Sequence, residues 1–125
     1  MTNYKIHISA FSLAAVLGLP DDAPAAALRC ARVMALDDVA NWIEARVASG
    51  LIPELDSAEI DEGGAVNVDW DQDLEGISIP TDELDEEGLL RLRKRLVQAI
   101  GDCFIHHGRE VVRQPSLDDI EAIAI

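Results

Sequence analysis

Apolar and polar residues alternate near the start of the chain, over residues 4–8. A period of two residues is typical of a strand that is buried on one face only. Ser9 then offers a helix N-cap, and Gly18 suits the left-handed residue that often ends a helix. The pattern therefore predicts a short strand followed by a short helix over residues 9–17.

Helical spacing follows, because apolar residues recur every three or four positions through residues 23–49. Either Asp21 or Asp22 can cap this region, and Pro24 suits its first turn. Asp37 can also restart the helix. One long helix and two consecutive helices are therefore both compatible with this part of the chain.

Alternation returns over residues 65–71, and residues 77–79 supply a second segment of the same kind. A turn within residues 72–76 would join the two segments as an antiparallel hairpin. On the first strand, Asp69 and Asp71 fall on the face that lacks apolar residues. The sequence thus predicts a hairpin with acids along one side.

The most regular helical pattern begins at Thr81 or Asp85 and ends before Gly108. Acids at its start complement the helix dipole. Its apolar stripe is continuous and consists of Leu89, Leu92, Leu96, Ile100, Cys103 and Phe104. We expect this helix to be the spine of the core.

Two short elements are expected at the end of the chain. Residues 110–114 predict a last strand, and residues 117–125 predict a short amphipathic helix. Ser116 and Asp119 have the spacing of a capping box at the start of that helix. Together the elements predict an α+β fold, with three to four helices packed on a small antiparallel sheet.

The composition fits one globular domain over residues 1–125. Of these residues 49% are hydrophobic but only 4% are aromatic, and every apolar run ends before the roughly 18 residues that a membrane span needs. The N-terminal residues lack the basic leader and cleavage site of a signal peptide, so we expect none. Cys30 and Cys103 lie in helical apolar patterns, which favours reduced, buried thiols in a cytoplasmic protein.

The net charge of −14 comes from one part of the chain. Residues 51–90 contain 14 acids and no Lys or Arg, whereas the remaining 10 acids and 10 bases cancel. Concentrated negative charge repels nucleic acid and attracts basic proteins. The candidate partner-binding residues are acids of this segment: Glu54, Asp56, Glu59, Asp61, Glu62, Asp69, Asp71, Asp73, Glu75, Asp82, Glu83, Glu86 and Glu87.

Patterns of catalytic and metal-binding residues fit the sequence poorly. The acidic hairpin lacks the glycine and the final glutamate of an EF-hand loop, since Leu74 and Pro80 stand at those positions. Cys103, His106 and His107 lack a third orienting group for nucleophilic catalysis and a fourth ligand for zinc. We therefore expect no catalytic residue, no metal and no cofactor.

One basic cluster interrupts the acidic character of the chain: Arg91, Arg93, Lys94 and Arg95. We expect a solvated helix face, paired with acids one turn earlier, although a contact with a second copy of the chain is the alternative. The succession of helices and a hairpin also occurs in winged helix-turn-helix proteins. A wing that carries only acids would face DNA phosphates with like charge, so direct binding of nucleic acid is not expected.

These observations favour a small acidic interaction protein over an enzyme. The expected partner is a basic protein, in particular a nucleic-acid-binding one, which the acids would inhibit by imitating phosphates. Phage inhibitors of host defence and bacterial immunity proteins are the classes that this hypothesis has in view, by an analogy that rests on size and charge. The alternative is a secretion-type chaperone or homodimeric scaffold whose hydrophobic groove binds a client segment.

Overall fold

The computed structural model describes residues 2–19, 24–55, 69–71 and 76–124. Within these ranges the chain forms three helices and four strands, and the predicted α+β fold is confirmed. Short 3₁₀ turns occupy Pro53–Leu55 and Leu117–Asp119. The helices and strands are β1 (Thr2–Ser9), α1 (Ala10–Leu17), α2 (Ala25–Ala48), β2 (Asp69–Asp71), β3 (Gly76–Leu84), α3 (Glu86–His106) and β4 (Ile120–Ala124).

The sheet has the order β2-β3-β1-β4, and all its described pairs are antiparallel. The first strand of the chain is central, because β1 pairs with β3 on one side and with β4 on the other. Ile8 stands opposite Ile77 on β3 and opposite Ile120 on β4, and all three are fully buried. This row places the apolar face of the sheet against the helices.

The core is one cluster of buried residues to which all three helices contribute. The predicted stripe of α3 is confirmed, since Leu92, Leu96, Ile100, Cys103 and Phe104 are fully buried and Leu89 packs partly buried against them. Successive residues of the stripe are three or four positions apart, apart from the adjacent Cys103 and Phe104, so the stripe forms one face of the helix.

The helix ends follow the capping residues. Ser9 caps α1 by accepting a hydrogen bond from the Phe11 amide at 3.1 Å, and Gly18 ends it with a φ of 63°. Of the two starts considered for α3, Asp85 is the one used, since its carboxylate accepts from the Gly88 amide at 2.7 Å. Thr81 lies in β3 instead, where its hydroxyl accepts from the Tyr4 amide.

The second helical region is one continuous helix of 24 residues. Asp37 does not restart it, because Asp37 points to solvent while Leu36 and Val39 continue the buried stripe on either side. Pro24 stands at the N-cap, one residue earlier than the first turn. Asp21 and Asp22, the predicted caps, lie outside the described residues.

The end of the chain differs from the prediction. Residues 110–114 form no strand, and the expected helix over residues 117–125 is replaced by a 3₁₀ turn and β4. The capping-box contacts of Ser116 and Asp119 do form, but they open only this single turn. The formation of β4 is explained by the side of β1 that does not pair with β3. Pairing there satisfies backbone groups that a short exposed helix would leave to solvent.

Two expectations from composition can be compared with the structure. Cys103 is buried as expected, whereas Cys30 is exposed on α2, and both are free thiols. The prediction of a buried Cys30 was wrong because apolar neighbours in sequence did not place it on the inner face of the helix. Among the described helices, none combines the length and apolar character that would cross a bilayer.

Candidate functional site

The acidic segment is only partly within the described residues. Asp69, Asp71 and Asp82 belong to β2 and β3 by their backbone, without a described side chain. Among the candidate partner-binding residues, those with a described side chain are Glu54, Glu83, Glu86 and Glu87. Outside the described residues lie Asp56, Glu59, Asp61, Glu62, Asp73 and Glu75.

The hairpin pairing places β2 at one edge of the sheet that the described strands form. Asp69 pairs with Ser78, Trp70 with Ile77, and Asp71 with Gly76. Residues directly opposite one another in an antiparallel pair lie on the same face. The register positions of both acids therefore belong to the face opposite the buried Ile77, as the alternation predicted; residues 65–68 and 72–75 of the predicted hairpin lie outside the described part.

Glu54 makes an internal contact, unlike Glu83, Glu86 and Glu87. Its side chain is only 7% exposed, and its Oε1 accepts from Arg95 Nε at 3.0 Å while Arg91 Nε lies at 3.8 Å. Its Oε2 is buried without a described hydrogen-bond partner. The carboxylate thus fixes the turn after α2 to the outer face of α3, and it is not free for a partner protein.

The start of α3 carries the acids that do face solvent. Glu83 ends β3, and Glu86 and Glu87 occupy the first turn of the helix, where negative charge stabilises the dipole. All three are exposed, and no ion pair joins them to the described residues. Their charge is therefore available at the surface.

The arginines, in contrast, are held by partners within the chain. In the ion pairs that the structure describes, only one of the four acids belongs to residues 51–90. The pairs and their N–O distances are Arg46 with Asp102 at 3.3 Å, Arg95 and Arg91 with Glu54 at 3.0 and 3.8 Å, Arg109 with Asp38 at 2.7 Å, and Arg113 with Asp119 at 2.7 Å.

The basic cluster on α3 is divided between two sides of the helix. Arg91 and Arg95 pair with Glu54, which lies far earlier in the chain and not one turn before them. Arg93 donates to the carbonyl oxygens of Leu117 at 2.8 Å and Ile120 at 3.1 Å. The expectation of a solvated face was therefore wrong for Arg93, because carbonyl oxygens of the returning chain end accept hydrogen bonds from it.

A line of contacts joins α2 to α3 and to the residues after it. Later residues of α2 contact earlier residues of α3 and of the segment that follows it, so the two helices run antiparallel. We call this line the α2–α3 seam, and its contacts are Asp38–Arg109 at 2.7 Å, Trp42–His106 with ring centroids 4.9 Å apart, and Arg46–Asp102 at 3.3 Å.

The thiol and imidazole groups near the end of α3 do not form a nucleophilic pair. Burial raises the pKa of the Cys103 thiol to about 11, and the carboxylate of Asp38 adds to this effect. A thiol in this environment stays protonated near neutral pH. His106 and His107 contact each other and Trp42 through their rings, and no group of side chains suited to a metal ion was found among the described residues.

None of the acids of the 51–90 segment whose side chains are described lines a pocket of about 360 Å³ beside β1. Its lining includes His7 from β1, Phe11 and Ser12 from α1, and the acids Asp118, Asp119 and Glu121 from the chain end. The sequence could have indicated His7, which alternates with buried residues in the predicted β1. It could not place Glu121 beside it, because that residue was assigned to a helix.

Asp119 organises one wall of this pocket. It is 5% exposed, and both of its oxygens accept from Arg113, at 2.7 and 2.8 Å. The Ser116 amide donates to it at 2.9 Å. The Arg113 guanidinium lowers the pKa of the Asp119 carboxyl, against the opposing effect of burial.

Comparison of the chain with protein-family models, with curated proteins and with solved structures gave no match.

Proposed function

We propose that the protein is a small acidic binding module that masks a basic partner protein, with the acids of residues 51–90 as its contact surface. The observation that carries this proposal is the unequal pairing of charges. The described ion pairs hold five arginines but take only Glu54 from the segment. Glu83, Glu86 and Glu87 are exposed and form no ion pair with the residues that the structure describes.

Electrostatic attraction is the expected recognition mechanism. A surface of one sign steers a partner of the opposite sign, raises the association rate and loses this advantage as salt is added. Alternate residues of a strand lie about 6.6 Å apart along one face, so Asp69 and Asp71 would present charges in a row. The partner we propose is a cytoplasmic nucleic-acid-binding protein whose phosphate-binding groove these acids occupy.

A salt-gradient capture experiment tests the proposal. The immobilised protein is incubated at low salt with nuclease-treated lysate, eluted with rising NaCl, and the eluted proteins are identified by mass spectrometry. We expect a basic protein that leaves at moderate salt and that duplex DNA displaces. The double variant Glu83→Gln, Glu87→Gln should elute it at lower salt.

The control is a double variant with the same change in net charge elsewhere. Asp37 and Glu110 are exposed and lie outside the 51–90 segment, so Asp37→Asn with Glu110→Gln should leave the elution position unchanged. Equal shifts in the two double variants would mean that total charge, and not this surface, governs binding. That result would contradict the proposal.

The second candidate is a scaffold or chaperone that binds an apolar client segment. It is favoured by large apolar side chains that face solvent, among them Ile105 and Val112, which are 75% and 70% exposed. Contacts of this kind do not weaken with salt. A client that stays bound through the gradient and is released only by mild denaturant would select this function over the first.

A further inference from the structure

The pocket beside β1 contains a largely buried polar ring that makes no hydrogen bond among the described residues. His7 is 8% exposed and lines the pocket, yet it has no hydrogen bond with any described residue. Its ring lies over Gly76, where a Cβ would collide with it. The His7 nitrogens are not among the fully buried unpaired atoms of the described residues, so they open into the pocket, where they can accept from or donate to a bound ligand.

The free charge around the ring is negative. Glu121 stands directly opposite His7 on β4, and both Glu121 and Asp118 are exposed without an ion pair among the described residues. Asp119 has its charge compensated by Arg113. The pocket therefore favours a cation, and its volume of about 360 Å³ is at the lower end of the range of small-ligand sites.

The arrangement suits an extended organic cation better than a metal ion. A metal needs several ligands around one point, and the described residues contain no such group. The acceptors here are instead spread over β1, α1 and β4, at His7, Ser12 and Glu121. A planar guanidinium carries five N–H donors in fixed directions and can reach several separate acceptors, whereas an ammonium is a point charge.

A residue that lines the pocket already contacts a guanidinium group. The Phe11 ring is 61% exposed, and the guanidinium carbon of Arg32 lies 5.0 Å from its centroid. Arg32 occupies one face of the ring, and a ring has two faces on which a guanidinium can stack. We propose that this pocket binds an alkyl guanidinium group, such as that of an arginine side chain. The proposal uses none of the acids of residues 51–90.

NMR titration of the intact protein tests this proposal with four probes. These are N-acetylarginine amide, agmatine, N-acetyllysine amide and NaCl at matched ionic strength. We expect saturable shifts of the His7 and Phe11 ring signals and of the β4 amides with both guanidinium compounds, and binding at least about five-fold weaker for the lysine compound. Tighter binding of N-acetylarginine amide would indicate an arginine side chain of a peptide as the ligand, and tighter binding of agmatine would indicate a free small molecule.

Variants of the exposed acids separate specific binding from a general charge effect. Asp118→Asn with Glu121→Gln should weaken guanidinium binding by about ten-fold or more. Asp37→Asn with Glu110→Gln makes the same change in net charge away from the pocket and should leave the affinity unchanged. Equal binding of the lysine and arginine compounds, or equal losses in both double variants, would overturn the proposal.

A variant of the buried ring provides a second check. His7→Leu keeps a side chain of similar size but removes the ring nitrogens, so it should abolish the saturable shifts while the thermal unfolding transition stays cooperative. If His7→Leu fails to fold, the double variant of the exposed acids still decides the matter. Unchanged guanidinium binding in a folded His7→Leu protein would overturn the role given to this residue.

Discussion

The two cysteines share apolar neighbours in sequence but differ in their surroundings. Cys30 is exposed on α2, whereas Cys103 is fully buried and its thiol pKa is raised to about 11 from an ordinary value of 9.0. A rise of about two pKa units leaves about 100-fold less thiolate at neutral pH, and the thiolate is the reactive form.

A thiol-reactive reagent should therefore label only one of the two cysteines of the native protein. At pH 8 we expect Cys30 to react quickly with dithiobis(nitrobenzoate), and Cys103 to react at least about 100-fold more slowly until denaturant is added. Absorbance of the released thiolate measures both rates. The Cys30→Ser variant should lose the fast phase only; a fast phase that persists in it would show that Cys103 is accessible.

Asp119 is expected to stabilise the folded protein through its contacts with Arg113 and the Ser116 amide. Asp119→Asn keeps the shape of the side chain but removes its charge, and hydrogen bonds to a charged group are worth about 1.5–3 kcal/mol. Because Arg113 is 41% exposed and can be resolvated, we expect a loss of about 1–2 kcal/mol in the free energy of unfolding, measured in urea. Asp118→Asn, at an exposed neighbour, should cost less than about 0.5 kcal/mol.

The same contact makes a prediction about acid. The folded-state pKa of Asp119 is lowered, so its stabilisation is present above the unfolded pKa of about 3.9 and is lost as the pH falls through the lower folded value. The stability difference between the wild-type protein and Asp119→Asn should therefore be constant from pH 7 to pH 5 and shrink below about pH 4. A difference that shrinks between pH 7 and pH 5 would contradict this assignment.

Among the candidate acids with a described side chain, Glu83, Glu86 and Glu87 face solvent, whereas Glu54 does not. Glu83, Glu86 and Glu87 flank the start of an amphipathic helix, and the pattern of that helix places them outside the core. Glu54 lies in a segment without periodicity, so only the tertiary contact with Arg91 and Arg95 determines its burial. Charge composition identifies acids, whereas pairing depends on contacts between distant parts of the chain.

At the level of elements, α3 and β1 were predictable because each repeats its pattern over several turns or residues. The chain end was not, since Ile120–Ala124 is short and its apolar residues are compatible with either period. What decides its structure is outside the segment. The edge of β1 provides pairing from Ile8↔Ile120 to Tyr4↔Ala124, and Arg93 holds the carbonyl oxygens at its entry.

Arg93 is therefore expected to control the local stability of β4. Arg93→Met keeps the aliphatic stem of the side chain but removes both hydrogen bonds, which should lower the free energy of local opening by about 1–3 kcal/mol. In hydrogen-exchange measurements, Arg93→Met should accelerate amide exchange in β4 more than in β3, relative to the wild-type protein. Lys94→Met, at an exposed position on the next residue, is the control; equal effects in the two variants would mean that the contacts of Arg93 are not the cause.

At the scale of the whole molecule, attraction and repulsion between charges oppose each other. The described ion pairs act at separations of 2.7 to 3.8 Å, and several of them are partly buried, so salt weakens them little. Repulsion within a net charge of −14 acts over longer distances through solvent. At an ionic strength of 0.1 M the Debye length is about 10 Å, so salt screens mainly the repulsion.

Adding salt should therefore stabilise the folded protein. Between about 10 mM and about 0.3 M NaCl we expect the free energy of unfolding to rise by about 1 kcal/mol, and Tm by about 4 °C. The triple variant Glu83→Gln, Glu86→Gln, Glu87→Gln changes the net charge of −14 by three, to about −11. It should gain less from NaCl, because it removes unpaired charge and leaves the described ion pairs intact. Its Tm at low salt also loses the stabilisation that Glu86 and Glu87 give to the start of α3. A Tm that falls with salt would show that the ion pairs outweigh the repulsion, and the surface acids would then have local partners and little charge to offer a basic protein.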